Sequence, residues 1–257
     1  MNSELDGDFA EAEQLIQPFG RTLYQVVKGS TLYGLPGTHA DVDIRSVFLA
    51  PTCDMLSIRG PQHTVERMVE RDDAVPLDVV AWEVKRFLHH LLGHNGNFIE
   101  MLLVPEEFAW MSEEGRTLRA LGPRFITKKL CRYYRGFALN QFKRSNQQMK
   151  TGKGMLYTYR EMYAGIIALR EGRVIFPWQE LRDRVEPALF RSEVLDDIVM
   201  DRTHAPAEML GEMDREFKEL NRLLDQAHAE SSLPPDFDGY EVCNNALLLW
   251  RSRGWLP

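Results

Sequence analysis

The sequence predicts an α+β fold, with a small sheet flanked by helices over residues 1–108 and a helical domain over 109–257. Three observations carry that prediction. Runs rich in β-branched and aromatic residues, bounded by turn formers, recur at 22–27, 42–49, 64–70 and 76–82. From Glu106 onward the pattern turns helical, with long periodic segments and few strand signals. The length of 257 residues exceeds one typical domain of about 100–150.

Each element has a local reason. Asp8 to Gln17 is a short amphipathic helix that Pro18 and Gly20 end. Thr22 to Val27 is the first strand, and Gly29-Ser30 turns into a short helix, Thr31 to Leu35. Gly37 punctuates the return into a second strand, Val42 to Leu49, and Pro51 to Gly60 is a loop. Thr64 to Glu70 and Pro76 to Trp82, divided by Arg71-Asp72-Asp73, form a β-hairpin. Glu83 to Leu92 is a helix that buries Val84, Phe87, Leu88, Leu91 and Leu92, and Phe98 to Val104 returns as a short strand or helix after the turn at 93–97. Lys143 to Gly154 is polar and reads as a loop, and the next helix runs to Leu169. Val174 to Pro177 is extended, and Glu180 to Leu195, broken by Pro187, has no clear assignment. Ala205 to Ala229 is a long amphipathic helix; Tyr240 to Trp250 closes the chain, with Leu247, Leu248, Leu249 and Trp250 expected to pack inward.

Composition bounds the function. Apolar content of 44% and charged content of 27% are those of a globular protein. No apolar run approaches the ~20 residues that a membrane helix needs, and the acidic start, MNSELDGDFAEAEQ, is unlike a signal peptide. Cys53, Cys131 and Cys243 are far apart and form no C-x-x-C, which implies neither a disulfide framework nor a zinc ribbon; a reducing cytoplasm is the expected compartment. The net charge of −7 argues against indiscriminate nucleic-acid binding. Yet Arg124 to Arg160 holds ten Lys or Arg residues and no acid, interleaved with Phe125, Tyr133, Tyr134, Phe137 and Phe142. Such segregation suggests an anionic ligand met at one place, although aromatics at helical spacing are core residues by default.

The stretch that carries chemistry is KGSTLYGLPGTHADVDIRSVFL, residues 28–49. Along a strand side chains alternate, so Asp41, Asp43 and Arg45 share one face and Val42, Ile44 and Phe48 the other. Two acids on one face, about 6.6 Å apart, can both reach a pair of hard cations. Gly29 lets backbone approach a polyphosphate, and Ser30 with nearby N–H groups can hold anionic oxygens. Asp78 is a further candidate to share those cations. It is the lone charge in the apolar run LDVVAW, costly to bury unless a cation compensates it. Its alternative is the wet end of an edge strand; Glu70 and Glu83 are rivals less isolated among apolar neighbours. His89, His90 and His94 invite a metal reading, but consecutive histidines on a helix point about 100° apart and do not readily share one ion.

Gly29, Ser30, Tyr33, Gly34, Asp41, Asp43, Arg45, Val47 and Phe48 together resemble a signature, G-S-x-x-Y-G-x-x-x-x-x-S-D-x-D-x-R-x-V-F. It is that of the RNA-repair-associated nucleotidyltransferases, within the superfamily related to DNA polymerase β. Ala40 departs from the usual Ser. The likeness continues through Asp78 to Leu88 and through Gly93, Asn95, Asn97, Glu100 and Leu102. Lys153-x-x-x-Tyr157-x-x-Arg160 is similar to the K-x-x-x-H-x-x-R run of the same family, with Tyr157 in place of His. The resemblance implies a polymerase β-like catalytic domain, with a small mixed sheet, followed by helices. It implies that Asp41, Asp43 and Asp78 hold two Mg²⁺ or Mn²⁺ ions, and that Gly29, Ser30, Arg45, Lys153, Tyr157 and Arg160 contact an NTP. The expected reaction moves a nucleoside monophosphate from the NTP to a hydroxyl, with an RNA 3′ end as the favoured acceptor. Nucleotidylation (AMPylation) of a protein or small molecule, and a non-catalytic nucleotide- or RNA-binding role, are the alternatives.

Overall fold

In the computed structural model of this chain the described residues are 3–35, 41–72, 74–148, 152–185 and 207–252. The chain forms two compact units. One comprises Met1–Leu32, His39–Phe125 and Phe237–Pro257; the other comprises Tyr33–Thr38 and Ile126–Asp236.

The first unit is built on a five-stranded mixed sheet. Its strands are β1 (Arg21–Val27), β2 (Val42–Leu49), β3 (Thr64–Val69), β4 (Leu77–Glu83) and β5 (Ala109–Met111), in the order β3-β4-β2-β1-β5. β2 and β4 are parallel and every other pair is antiparallel. The hairpin of β3 and β4 is therefore real, but β4 also returns alongside β2, and that pairing aligns Asp43 with Asp78.

Helix α1 (Ser3–Ile16) covers one face. Its Phe9, Ala12 and Ile16 pack with Val27, Ile44, Phe48, Val65, Leu77, Val79 and Ala81 into one apolar cluster. The strict alternation of β4, buried at Leu77, Val79, Ala81 and Glu83 and half-buried between, is the period-2 signature of that face. On the opposite face Trp82 meets Phe98 with ring centroids 4.9 Å apart, and Tyr24 donates its hydroxyl to the Met101 carbonyl at 2.8 Å. Phe98 and Met101 belong to α5 (Gly96–Met101), which follows α4 (Val84–Leu92).

Several local expectations shift. The helix after β1 is α2 (Gly29–Leu32), starting at the Gly-Ser pair instead of after it. The segment after β2 contains α3 (Thr52–Leu56), started by Pro51 at its N-cap. Too short to show a period, β5 was not anticipated; it adds to the β1 edge, and α6 (Glu113–Arg119) follows with Ser112 capping Gly115 N–H at 3.1 Å.

The second unit is helical: α7 (Leu130–Gln148), α8 (Gly152–Glu171), α9 (Trp178–Arg184) and α10 (Ala207–Glu230). Helix occupies most of the span read as a loop at 143–154, of which 149–151 lie outside the described residues. α7 and α8 approach closely at Gly165, where a Cβ would stand 2.7 Å from that of Tyr134. Tyr163 stacks on Trp178 and Phe142 on Phe217, at 5.6 and 4.5 Å between centroids. The unassigned stretch beyond Val185 lies largely outside the described residues.

The last helix, α11 (Tyr240–Ser252), belongs to the first unit. Trp250 is buried there as the sequence suggests, with Cys243 also buried in the same helix, but Leu248 and Leu249 are exposed. Among the described residues no helix is long and apolar enough to cross a membrane.

Candidate metal and nucleotide site

The acids converge. Asp41 precedes β2, Asp43 lies in it, and Asp78 stands beside Asp43 on β4. One carboxylate oxygen from each can be chosen so that all lie within 4.8 Å of one another, and all three residues are half-buried. The register of the β2–β4 pairing brings this about, because register partners on neighbouring strands point to the same side of the sheet. The two rivals for the third place stand elsewhere. Glu70 is exposed, and Glu83 is buried on the α1 side, where its Oε2 accepts from Lys85 N–H at 2.8 Å.

Arg45 spans the cluster. Its Nη2 donates to Asp43 Oδ1 at 2.6 Å and to Asp78 Oδ2 at 2.8 Å. Its Nη1 donates to the carbonyls of Asp78 and Ile44 at 3.0 and 3.1 Å. Burial pushes the Asp43 carboxyl above its ordinary value; the Arg45 charge pulls it back, and Asp41 and Asp78 push it up again. A site that disfavours its own negative charge gains from a further cation. Three carboxylates also form the hard-oxygen donor set that suits Mg²⁺ or Mn²⁺, so the residues fit the ions.

The Gly-Ser bend closes one side. Gly29 has φ of +66°, and a Cβ there would lie 1.9 Å from Asp43 Oδ2. The glycine therefore admits the carboxylate of Asp43. Ser30 follows in α2, half-buried. Just before the bend, Lys28 N–H donates to the Asp43 carbonyl at 2.8 Å, and Lys28 Nζ reaches Glu100 Oε2 at 3.0 Å. Both Lys28 and Glu100 are buried. This pair was not singled out from sequence, although a signal was there: Glu100 is the lone acid in FIEMLLV, just as Asp78 is in LDVVAW.

The remaining candidates belong to the second unit. Tyr157 and Arg160 are on α8 and share Tyr33 as a neighbour. Tyr157 meets its ring edge-on at 6.0 Å between centroids, and the Arg160 guanidinium carbon lies 3.4 Å from the ring centre. Arg160 is fully buried and also pairs with Glu161. Tyr33 belongs to the same unit, and its carbonyl accepts from Trp178 N–H at 2.8 Å. Lys153 falls within α8, but its side chain, like Ala40, is outside the described residues. Of the basic stretch, Lys129 and Arg135 pair with Asp236 and Asp225, whereas Arg132 and Lys143 are exposed on α7. His90 stacks on Phe98 at 4.2 Å and His94 meets Phe125 edge-on at 5.8 Å, packing roles in place of a shared ion.

A mixed sheet flanked by helices, carrying two acids on adjoining parallel strands and a third just before one of them, is that of a polymerase β-like nucleotidyltransferase fold. The chain belongs to the RNA repair pathway DNA polymerase beta family (RlaP), which it matches over residues 1–248. It is 27% identical over 222 residues to an uncharacterized protein of Methanocaldococcus jannaschii, covering 82% of this chain and 86% of that protein. Among solved structures it is similar to a nucleotidyltransferase-like protein from Exiguobacterium sibiricum. That likeness has 9% identity and a TM-score of 0.35, over 83% of this chain and 74% of the other.

Proposed function

We propose that this protein transfers a nucleoside monophosphate from an NTP to the 3′-hydroxyl of RNA and releases pyrophosphate. The observation that carries the reading is the convergence of Asp41, Asp43 and Asp78 within one another's reach. The hydroxyl oxygen bonds to the α-phosphorus, the bond from that phosphorus to the bridging oxygen breaks with pyrophosphate leaving, and the hydroxyl proton passes to water. Asp41, Asp43 and Asp78 would hold two Mg²⁺ or Mn²⁺ ions, which supply charge stabilisation at the attacking and leaving oxygens when bound. Gly29 and Ser30 take terminal phosphates at the bend. In this reading Arg45, Lys153 and Arg160 offset negative charge developing on the leaving group. Tyr157, half-buried, stacks on the base.

RNA is the acceptor this reading favours, on the RNA-repair membership and the exposed Arg132 and Lys143 of α7. The test incubates the protein with Mg²⁺ and each α-labelled NTP, offering RNA ending in a 3′-hydroxyl and total lysate protein in parallel. Label at the RNA 3′ end, abolished by Asp43→Asn, is the expected result. A labelled polypeptide in place of RNA overturns the acceptor, and no transfer to either by folded protein overturns the reaction.

A further inference from the structure

We propose that Arg45 is the resident counter-ion of the acidic cluster, competing with divalent ions for Asp43 and Asp78 and thereby setting how tightly the site holds them. The inference rests on the metal-binding reading above and gives Arg45 a task distinct from meeting phosphate.

The geometry is that of a cation already in place. A single nitrogen, Nη2, is shared between Asp43 Oδ1 and Asp78 Oδ2, at 2.6 and 2.8 Å. An ion chelated by both carboxylates draws on the same pair of groups. Asp43 Oδ2 lies beside Gly29, where a Cβ would stand 1.9 Å away, and Oδ1 is the oxygen on Arg45. An ion that takes Oδ1 displaces Arg45 from it.

The guanidinium is also held in position. Nη1 is tied to two backbone carbonyls, those of Asp78 and Ile44, which belong to the paired strands themselves. An incoming ion can take the carboxylate oxygens from Nη2, but these carbonyls keep the positive charge close by. With Arg45 on the same face of β2 as the acids, and its side chain only about one-fifth exposed, the charge is poorly screened. A +1 group some 5 Å from a +2 ion weakens its binding by about tenfold even at the dielectric of water. What the arginine gives in return is order. Three carboxylates this close repel one another, and Nη2 draws two of them together before any ion arrives.

Competition and simple structural support predict opposite signs, which makes the proposal testable. Mn²⁺ is titrated into the full chain without nucleotide, followed by calorimetry and by the paramagnetic signal of the free ion. Wild type is compared with Arg45→Met, with Arg45→Gln, which keeps hydrogen bonding without charge, and with Arg45→Lys. Arg45→Met and Arg45→Gln are expected to bind Mn²⁺ about tenfold more tightly, and Arg45→Lys to stay within about threefold of wild type. The metal-free melting temperature of the two neutral variants falls, and added Mn²⁺ raises it by more than in wild type. Wild-type binding with no tightening in either neutral variant overturns the role of Arg45 alone. An absence of Mn²⁺ binding in every protein overturns the metal reading and this inference together.

Discussion

The α-carbon of Gly29 is packed against the carboxylate of Asp43, so closely that a Cβ at position 29 would lie 1.9 Å from Oδ2. Its φ of +66° adds the strain that any L-residue meets in the left-handed region. Gly29→Ala is expected to displace Asp43, weaken Mn²⁺ binding at least about tenfold and cost about 1–3 kcal/mol of stability. Gly34, at φ of +63° with no described residue within 4 Å of its would-be Cβ, separates the two effects. Gly34→Ala should carry the backbone cost of about 1 kcal/mol and leave Mn²⁺ affinity unchanged, as denaturant melts and titration would show.

The Asp43 carboxyl is raised above its ordinary value, chiefly by burial and then by Asp41 and Asp78 against the pull of Arg45. A raised carboxyl binds its proton more tightly folded than unfolded, so its contribution is full below the unfolded value and lost as pH rises through the folded one. Metal-free wild type should therefore lose stability relative to Asp43→Asn as pH climbs from the ordinary carboxylate value upward. Saturating Mn²⁺ should abolish that loss in wild type and do nothing for the variant. Thermal melts across pH, with and without the ion, measure both.

Lys28 and Glu100 form a buried ion pair at 3.0 Å, directly behind the Gly-Ser bend. Removing one partner leaves the other charge without its main compensation in a dry setting. Lys28→Met is expected to cost about 3–5 kcal/mol, and Lys28→Met with Glu100→Leu to recover more than half of it. Urea unfolding of the single and double variants gives the comparison; equal losses in both would rule out the pair as the cause.

Arg251 of α11 donates to Glu83 and to the Ala50 carbonyl, while Thr52 Oγ1 donates to the Arg251 carbonyl at 3.4 Å. Glu83 is fully buried, so it depends on that arginine. Arg251→Ala should lower stability by about 3 kcal/mol, and a chain truncated after Asp238 should not fold its sheet as a compact unit. Proteolysis of the truncated chain would show residues 1–125 cut as readily as 126–236 if α11 is needed.

Much of this was legible from the chain itself. Val42 to Arg45 alternates apolar and polar residues, so the acid-bearing face of β2 follows from the period of a strand. Asp78 stood out because a lone charge among apolar neighbours needs an explanation, and the structure supplies a counter-charge in Arg45. Other elements left no such mark. β5 spans three residues, too few for a period, and exists because the β1 edge offers it hydrogen bonds. Polar composition at 143–148 looked like a loop, yet the helix continues there. At the other end of the chain, Leu248 and Leu249 read as core by hydropathy alone, and only the packing of α11 showed which side faces outward.

The sequence by itself determined which residue types stand at which intervals: a glycine-serine bend, two acids one residue apart, a third in a later apolar run, and the family to which these belong. Only the tertiary structure decided that β4 lies parallel to β2 in the register that sets Asp78 beside Asp43, and that Arg45 bridges them. Local order along a chain follows from torsional preference and hydrophobic period. The choice of strand neighbour, and so the meeting of charges distant in sequence, follows from how whole elements pack.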